Sequence, residues 1–416
     1  MSAAAAALAR AAAGGVDVRP VLPAVTALYH HLHAHPELSG AEHATQQRVV
    51  EALAGTDVTV RACGGTGLVA VLRNGDGPVV ALRGDTDALP IEEETGLPYA
   101  SAATGVLADG TVVPVMHACG HDVHTAALVG ALLHLDAHRD GWAGTVVGVF
   151  QPAEETGAGA VAMIEDGLFD ETGPPDVVYG QHVTSAPVGQ VVARPGWFLS
   201  HQRSWRITVE GVGGHASRPH LAKDPVVAAA SMVVGLQTVV SRAVDPFRMA
   251  VLTVGTIHGG TKENVIPREV VLTVSTRTYE AEVAATVEES LRRVVEGEAL
   301  AAGVDVRVEP ISDIPACYND PAETARAAGA LATAFGADAI VAPADPFPAA
   351  DDFSQYGARL GVPTVIWNFG VQDASLFGPG LTPPRNHDGR FAPHPTDAVA
   401  VGTLAAVTAL RGRLAL

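Results

Sequence analysis

A chain of 416 residues exceeds what one hydrophobic core usually serves, so two domains are expected. With 48% hydrophobic and 17% charged residues it can bury large cores, which excludes a disordered chain. A net charge of -19 leaves no dominant basic face, which excludes a nucleic-acid partner and reads simply as solubility.

The three cysteines, Cys63, Cys119 and Cys317, are odd in number and far apart, so they do not read as a disulfide framework. A reducing cytoplasm is the expected compartment. The opening Met1 to Gly15 is alanine-rich, but it has no basic segment before the alanines, and Arg10 falls where an export signal would be apolar. Residues 1–15 are therefore expected as a loose N-terminal tail, frayed or loosely helical. No run of about 18 apolar residues follows, so no membrane span is expected.

From Val18 to Leu53 the pattern is helical, interrupted near Pro36. His30, His31, His33, His35 and His43 fall here, but their alternation points them in several directions on a helix, so they read as a polar helix end and loop. Short strand-like runs follow at Val58–Val60, Leu68–Leu72 and Val79–Leu82, the third ending in Arg83-Gly84-Asp85-Thr86-Asp87-Ala88-Leu89-Pro90. Gly64-Gly65-Thr66-Gly67 superficially suggests a phosphate loop, but no helix follows it.

Met116 to His124 is the densest stretch, with Cys119, three histidines and Asp122, and it runs into a helical pattern over Thr125–Leu135. A thiolate and an imidazole two residues apart at a helix start suit a divalent transition metal, and the helix N-terminus favours the thiolate. Taken alone, the stretch is equally compatible with a buried structural cysteine beside surface histidines. A run at Thr145–Phe150 ends in Gln151-Pro152-Ala153-Glu154-Glu155, and another at Val177–Gly180 ends in Gln181-His182. Thr364–Trp367 is similar, with Asn386-His387-Asp388-Gly389-Arg390-Phe391 beyond it.

Continuous apolar strands alternating with helices predict an α/β fold: a largely parallel mixed sheet covered by helices on both faces. In such sheets chemistry collects beyond the carboxyl ends of the strands, where Asp85, Asp87, Glu154, Glu155 and His182 lie. Between Gly196 and Ile311 the character changes. Ser204–Glu210 and Val270–Thr278 alternate apolar and polar residues, Met249–Ile257 is β-rich, and helical stretches cover Pro225–Val240 and Glu280–Ala301. The expected organisation is a catalytic domain from 16–195 and 312–416 with an inserted α+β lid or dimerisation domain, 196–311.

Cys119, His121, Glu155, His182 and His387, with Asp87 and Glu154 nearby, form a mixed set that suits Zn²⁺, Mn²⁺, Co²⁺ or Ni²⁺ better than Mg²⁺ or Ca²⁺. Five ligands exceed one closed tetrahedral site and favour two ions. Paired ions about 3.5–4 Å apart can lower the pKa of a shared water from about 15.7 to near 7. A carboxylate must then move its proton, and Glu154 and Glu155 can divide the roles of base and ligand. Asp87 suits a carboxylate that orients a ligating histidine, or else a turn residue ahead of Pro90.

These runs, together with Gly213-Gly214-His215-Ala216-Ser217-Arg218-Pro219-His220, Asp224-Pro225 and Glu263-Asn264-Val265-Ile266-Pro267, resemble the amidohydrolase branch of the M20 metallopeptidase family. That branch includes hippurate hydrolases, auxin-conjugate hydrolases and N-acyl-amino-acid deacylases, and the resemblance runs in order from Leu32 to Phe391. It implies Cys119, His121, Glu155, His182 and His387 as ligands of two divalent ions, Glu154 as general base and Asp87 as orienting acid. It further implies His215 as a lid-domain oxyanion donor, supplied across a dimer interface in several relatives, and Asn264 and Arg277 as binders of the substrate carboxylate. Arg277 is equally readable as a surface arginine on a strand.

The sequence departs from the branch at Gly84 and Thr86, at Asp351-Asp352-Phe353 in place of Glu-Asp-Phe, and after His387, where Asp388-Gly389-Arg390-Phe391 stands instead of a Ser-Pro pair. The expected activity is hydrolysis of N-acyl or N-aroyl amino acids by a cytoplasmic homodimer. A dipeptidase or aminopeptidase of the same fold, or a silent metal-binding protein, are the alternatives.

Overall fold

The computed structural model describes residues 2–414; Met1, Ala415 and Leu416, at the two ends of the expected segments, lie outside the described residues. The chain divides into two compact units. One comprises the stretch up to Phe198, Tyr318–Asp345 and the stretch from Asp351 onward. The other comprises Leu199–Cys317 and the short return Pro346–Ala350.

The first unit is built on an eight-stranded mixed sheet. In spatial order its strands are Thr59–Ala62, Leu68–Asn74, Gly144–Gln151, Val79–Asp85, Val177–Pro187, Thr364–Gln372, Val191–Val192 and Ile340–Val341. The central neighbours Gly144–Gln151, Val79–Asp85, Val177–Pro187 and Thr364–Gln372 pair in parallel, and antiparallel pairing occurs toward the edges. Val79–Asp85 is buried from Val80 onward, as a strand covered on both faces must be. Helix His121–Ala137 is buried almost throughout, and so is Asp397–Leu414, which packs against it. Gly130 permits that packing, since a Cβ there would lie 2.8 Å from Thr403.

The expected loose tail is instead an ordered helix, Ala3–Ala13, capped by Ser2, whose hydroxyl accepts from the Ala5 amide at 3.2 Å. Ala4, Ala7 and Ala11 form one buried face, and Arg10 donates to the Ala334 carbonyl at the end of helix Pro321–Phe335. Small side chains spaced three and four apart let two helices approach, which fixes a segment that composition alone marks as featureless.

The second unit is a four-stranded antiparallel sheet in the order Ala250–Gly259, Glu269–Thr278, His201–Glu210, Asp305–Ile314. Helices Pro225–Thr238 and Ala281–Ala302 share an apolar core with it through Met232, Leu236, Val287 and Leu291 against Ile207, Leu272 and Val274. By length and composition the helical stretch Pro225–Ala243 is apolar enough to cross a membrane, contrary to the expectation that no such run exists. Its inner residues, including Ala228, Ala229 and Met232, lie in this core, while Val226, Val227 and Val234 are exposed.

Candidate metal centre

The first unit gathers its acids and imidazoles at the carboxyl ends of its parallel strands. Gly120 has a left-handed backbone, φ 77°, and caps the helix that begins at His121. A Cβ there would also come within 2.5 Å of the Val183 side chain, so glycine is required for both the turn and the packing. The sharp turn sets Cys119 and His121 on either side of the helix start. Glu154 and Glu155 follow strand Gly144–Gln151 through Ala153, one of two non-glycine residues among those described with positive φ, at 51°. The other is His387, φ 69°. Both therefore sit in a sparsely populated conformation at the site. The buried carboxylate of Glu42 holds the first, accepting from the Ala153 amide at 2.9 Å.

The five expected ligands converge. Cys119 Sγ is 3.5 Å from His182 Nε2, His387 Nε2 is 3.3 Å from Glu155 Oε1, and His121 Nε2 is 3.9 Å from Glu155 Oε1 and 4.0 Å from Glu154 Oε2. Donor atoms of Cys119, Glu155 and His387 lie within 4.8 Å of one another, as do those of His121, Glu154 and Glu155. His121 Nδ1 donates to Asp87, 2.9 Å from its carbonyl and 3.2 Å from its Oδ1, and His182 Nδ1 donates to the Val183 carbonyl at 2.7 Å. Each ring thus turns its Nε2 toward the cluster. His121 Nε2 and Glu155 Oε1 are buried, and the polar atoms nearest them belong to the cluster itself: Asp85 Oδ2 is 3.5 Å from the first and His387 Nε2 3.3 Å from the second.

Around the donors is a buried frame. Asp87 Oδ2 accepts from Ser39 Oγ at 2.6 Å and the Glu155 amide at 3.0 Å, so one carboxylate orients His121 and anchors the Glu154–Glu155 turn. Asp85, His121, His124 and His182 also lie close enough to share an ion. Both oxygens of Asp85 are nevertheless engaged, Oδ1 by His124 Nδ1 and Oδ2 by Arg83 at 2.7 Å. His124 Nε2 accepts from the Val183 amide at 2.7 Å, so neither of its ring nitrogens is free. Arg83, fully buried, also binds Asp351 at 2.9 Å, Asp352 at 3.1 Å and Gln151 at 2.9 Å. His117 is buried with neither ring nitrogen hydrogen-bonded, and burial lowers its pKa to about 4.

The electrostatics describe a surplus of negative charge. Burial pushes the Cys119 thiol up, but the His182 and His121 imidazoles outweigh it and hold the group well below the usual thiol value. Burial works against protonated His182, yet Cys119 raises it to about 9, and hydrogen bonds to Cys119 and Glu155 raise His387 to about 10. Divalent cations would neutralise the same surplus and release those protons, so the donor set fits them. Burial, reinforced by Asp351, Glu155 and Asp352, pushes Glu154 well above the ordinary carboxylate range.

The second unit carries the remaining candidates. His215 is exposed on a two-residue strand paired with Val265–Ile266, and its Nδ1 accepts from the Ser217 amide at 3.1 Å and lies 2.8 Å from its hydroxyl. The Ala216 amide donates to the Asn264 carbonyl at 3.1 Å, which brings Asn264 beside His215. Arg277 alternates with the core-facing residues of strand Glu269–Thr278, and its Nη1 is buried without a hydrogen-bond partner.

Sequence reasoning does not find three sets of partners: Asp85 with His124, Asp351 and Asp352 with Arg83, and Asp122 and Glu93 with His33, which is buried rather than part of a polar helix end. His33 Nδ1 is 2.6 Å from Asp122 and its Nε2 3.1 Å from Glu93. Among the described residues His33 is the one cation paired with Glu93, the inward member of the run Glu92-Glu93-Glu94.

Residues 81–394 match the profile of peptidase family M20/M25/M40. N-acetyl-L-cysteine deacetylase of Bacillus subtilis (strain 168) is 40% identical over 329 residues, 78% of this chain and 76% of that protein. A structure described as an aminohydrolase from methicillin-resistant Staphylococcus aureus superposes with a TM-score of 0.83 at 33% identity, covering 95% of this chain and 98% of that one. A dinuclear metal-binding M20 peptidase from Bacillus subtilis superposes with a TM-score of 0.75 at 28% identity, covering 94% and 98%. Motifs, fold and donor set agree with these likenesses: the chain belongs to peptidase family M20/M25/M40 and is a hydrolase acting on amides.

Proposed function

We propose that the protein hydrolyses the amide bond of N-acyl or N-aroyl amino acids, giving a carboxylic acid and a free amino acid. The observation that carries this reading is the buried donor set, in which His121 Nε2 and Glu155 Oε1 face each other with the Glu154 carboxyl beside them. Cys119, His121, Glu155, His182 and His387 would hold two divalent ions, drawn from Zn²⁺, Mn²⁺, Co²⁺ or Ni²⁺. When bound, such ions polarise a carbonyl and lower the pKa of a coordinated water.

The chain's own residues do the rest. Glu154 accepts a proton from the attacking water and delivers it to the amide nitrogen as the carbon–nitrogen bond breaks. Its buried, carboxylate-rich surroundings favour the proton-holding form, which suits that shuttle. Asp87 fixes the His121 ring. His215 donates to the developing oxyanion, and Asn264 and Arg277 bind the substrate carboxylate, for which the unpartnered Nη1 of Arg277 is suited.

The deacetylase name of the Bacillus subtilis relative makes N-acetylated amino acids the first substrates to test. The experiment is a hydrolysis screen over N-acetyl, N-benzoyl and indole-acyl amino acids, with simple dipeptides as comparison, under each of the four metals. Metal-dependent release of free amino acid from acylated substrates is expected. Cleavage of dipeptides alone, or inactivity with two ions bound, would contradict the reading.

The exposed edge strand Ala250–Gly259 and the outward valines of Pro225–Ala243 support a homodimer formed through the second unit. Sedimentation should show a dimer, and a monomer at working concentration would remove that part. Cys63, Cys119 and Cys317 are not joined in disulfides, which suits a cytoplasmic enzyme.

A further inference from the structure

His387 is the least protected of the five donors. It lies outside any helix or strand, its side chain is 53% exposed, and its backbone is left-handed. Its amide donates to the Ala118 carbonyl at 2.9 Å, and Asn386 reaches the carbonyls of Cys119 and Val183, each at 3.4 Å. These contacts steady the approach to His387. The residues after it are held from elsewhere.

The Glu94 amide donates to the Gly389 carbonyl at 2.7 Å. A Cβ on Gly389 would lie 2.5 Å from the Glu92 carbonyl, so two backbones meet here at a distance that only glycine permits. Between Glu92 and Glu94, both exposed, the Glu93 side chain turns fully inward. Its Oε1 is 3.1 Å from His33 Nε2 and also accepts from the Thr95 hydroxyl, while its Oε2 accepts from the Ser101 amide at 2.6 Å. His33 in turn binds Asp122, the residue after His121. A short acidic segment therefore ties the helix that begins at His121 to the loop that carries His387.

We propose that the segment 91–95 is a clasp that sets His387 against Cys119 and Glu155, with Gly389, Glu93 and His33 as positioning residues that act only through His387. The proposal rests on reading His387 as a metal ligand. It accounts for three features that the proposed reaction leaves unused: the buried histidine of the first helical stretch, the glutamate run, and the glycine two residues after His387. Glu92 and Glu94 meet the loop through their backbone, at Gly389.

The test is a Co²⁺ titration, with ions counted by elemental analysis, on wild type, Gly389→Ala, Glu93→Gln, His387→Ala and the two double variants that pair His387→Ala with each clasp change. Each clasp variant should weaken one of two binding events by about 10- to 100-fold and leave the other intact, as is expected of His387→Ala. The double variants should be no weaker than His387→Ala alone, because the clasp works through that residue. Wild-type Co²⁺ binding in both clasp variants, equal weakening of both events, or additive losses in the double variants would overturn the clasp.

Amide exchange on metal-free protein supplies a second reading. The Glu94 amide and residues 385–391 should exchange faster in Glu93→Gln than in wild type, and unchanged exchange would also overturn the proposal. If wild type itself binds fewer than two ions, the two-metal reading fails, and the exchange result alone then decides the clasp.

Discussion

His121 and His387 face the same carboxylate, that of Glu155, from supports of opposite kind. His121 opens a buried helix, with its ring fixed by Asp87 and its surroundings by Asp85, His124 and Arg83. His387 projects from a half-exposed loop held by backbone contacts and a remote ion pair. A ligand on a core element is positioned by the same burial that folds the domain. A ligand on a loop needs its own fastening, and that fastening can fail while the fold survives.

The sharpest way to break the comparison is to attack the braced side. Arg83→Met leaves Asp85, Asp351 and Asp352 buried without their shared cation, and should cost about 3–5 kcal/mol in denaturant unfolding. A loss below about 1 kcal/mol would mean that the frame does not depend on this residue.

Asp87→Asn should come next in size. It keeps the fold but misorients His121, and chelator competition should show metal affinity lower by about 10- to 100-fold. Unchanged affinity would place the orientation of His121 elsewhere.

The smallest effect concerns the fastening. Burial disfavours charged His33, but Asp122 and Glu93 overcome it and raise its pKa to about 9. Folded protein therefore retains a proton that an unfolded histidine, near about 6.5, gives up. The stabilisation is complete below the unfolded value and disappears as pH rises through about 9. Metal-free wild type should lose stability relative to His33→Gln between neutral pH and pH about 10. Parallel stability curves for the two would show that the pair is not charged.

Legibility in the sequence divides along the same line. Parallel strands announce themselves by continuous apolar runs, and residues such as Asp85, Glu155 and His182 are conspicuous because they end or interrupt such runs. Helix Asp397–Leu414 escapes a sequence reading, because burial all round removes the polar face that marks a helix. The ordered helix Ala3–Ala13 reads as a loose tail because alanine carries little apolar contrast, although Ala4, Ala7 and Ala11 share a buried face. His33 does not stand out, because alternation among its neighbours scatters their directions, and its partners, Glu93 and Asp122, are remote in sequence. The Arg83 network joins residues hundreds of positions apart, and Asp351-Asp352 shows only as a departure from a motif. The return Pro346–Ala350 to the second unit has no compositional mark at all.

In the proposed reaction Glu154 moves the proton while other residues hold the ions. The direct measurement is metal content and turnover of Glu154→Gln, side by side with wild type, on the best N-acyl amino acid found. Unchanged metal content with turnover lower by about 10²- to 10⁴-fold is the predicted result. Turnover within a few-fold of wild type, with metal fully bound, would contradict the mechanism.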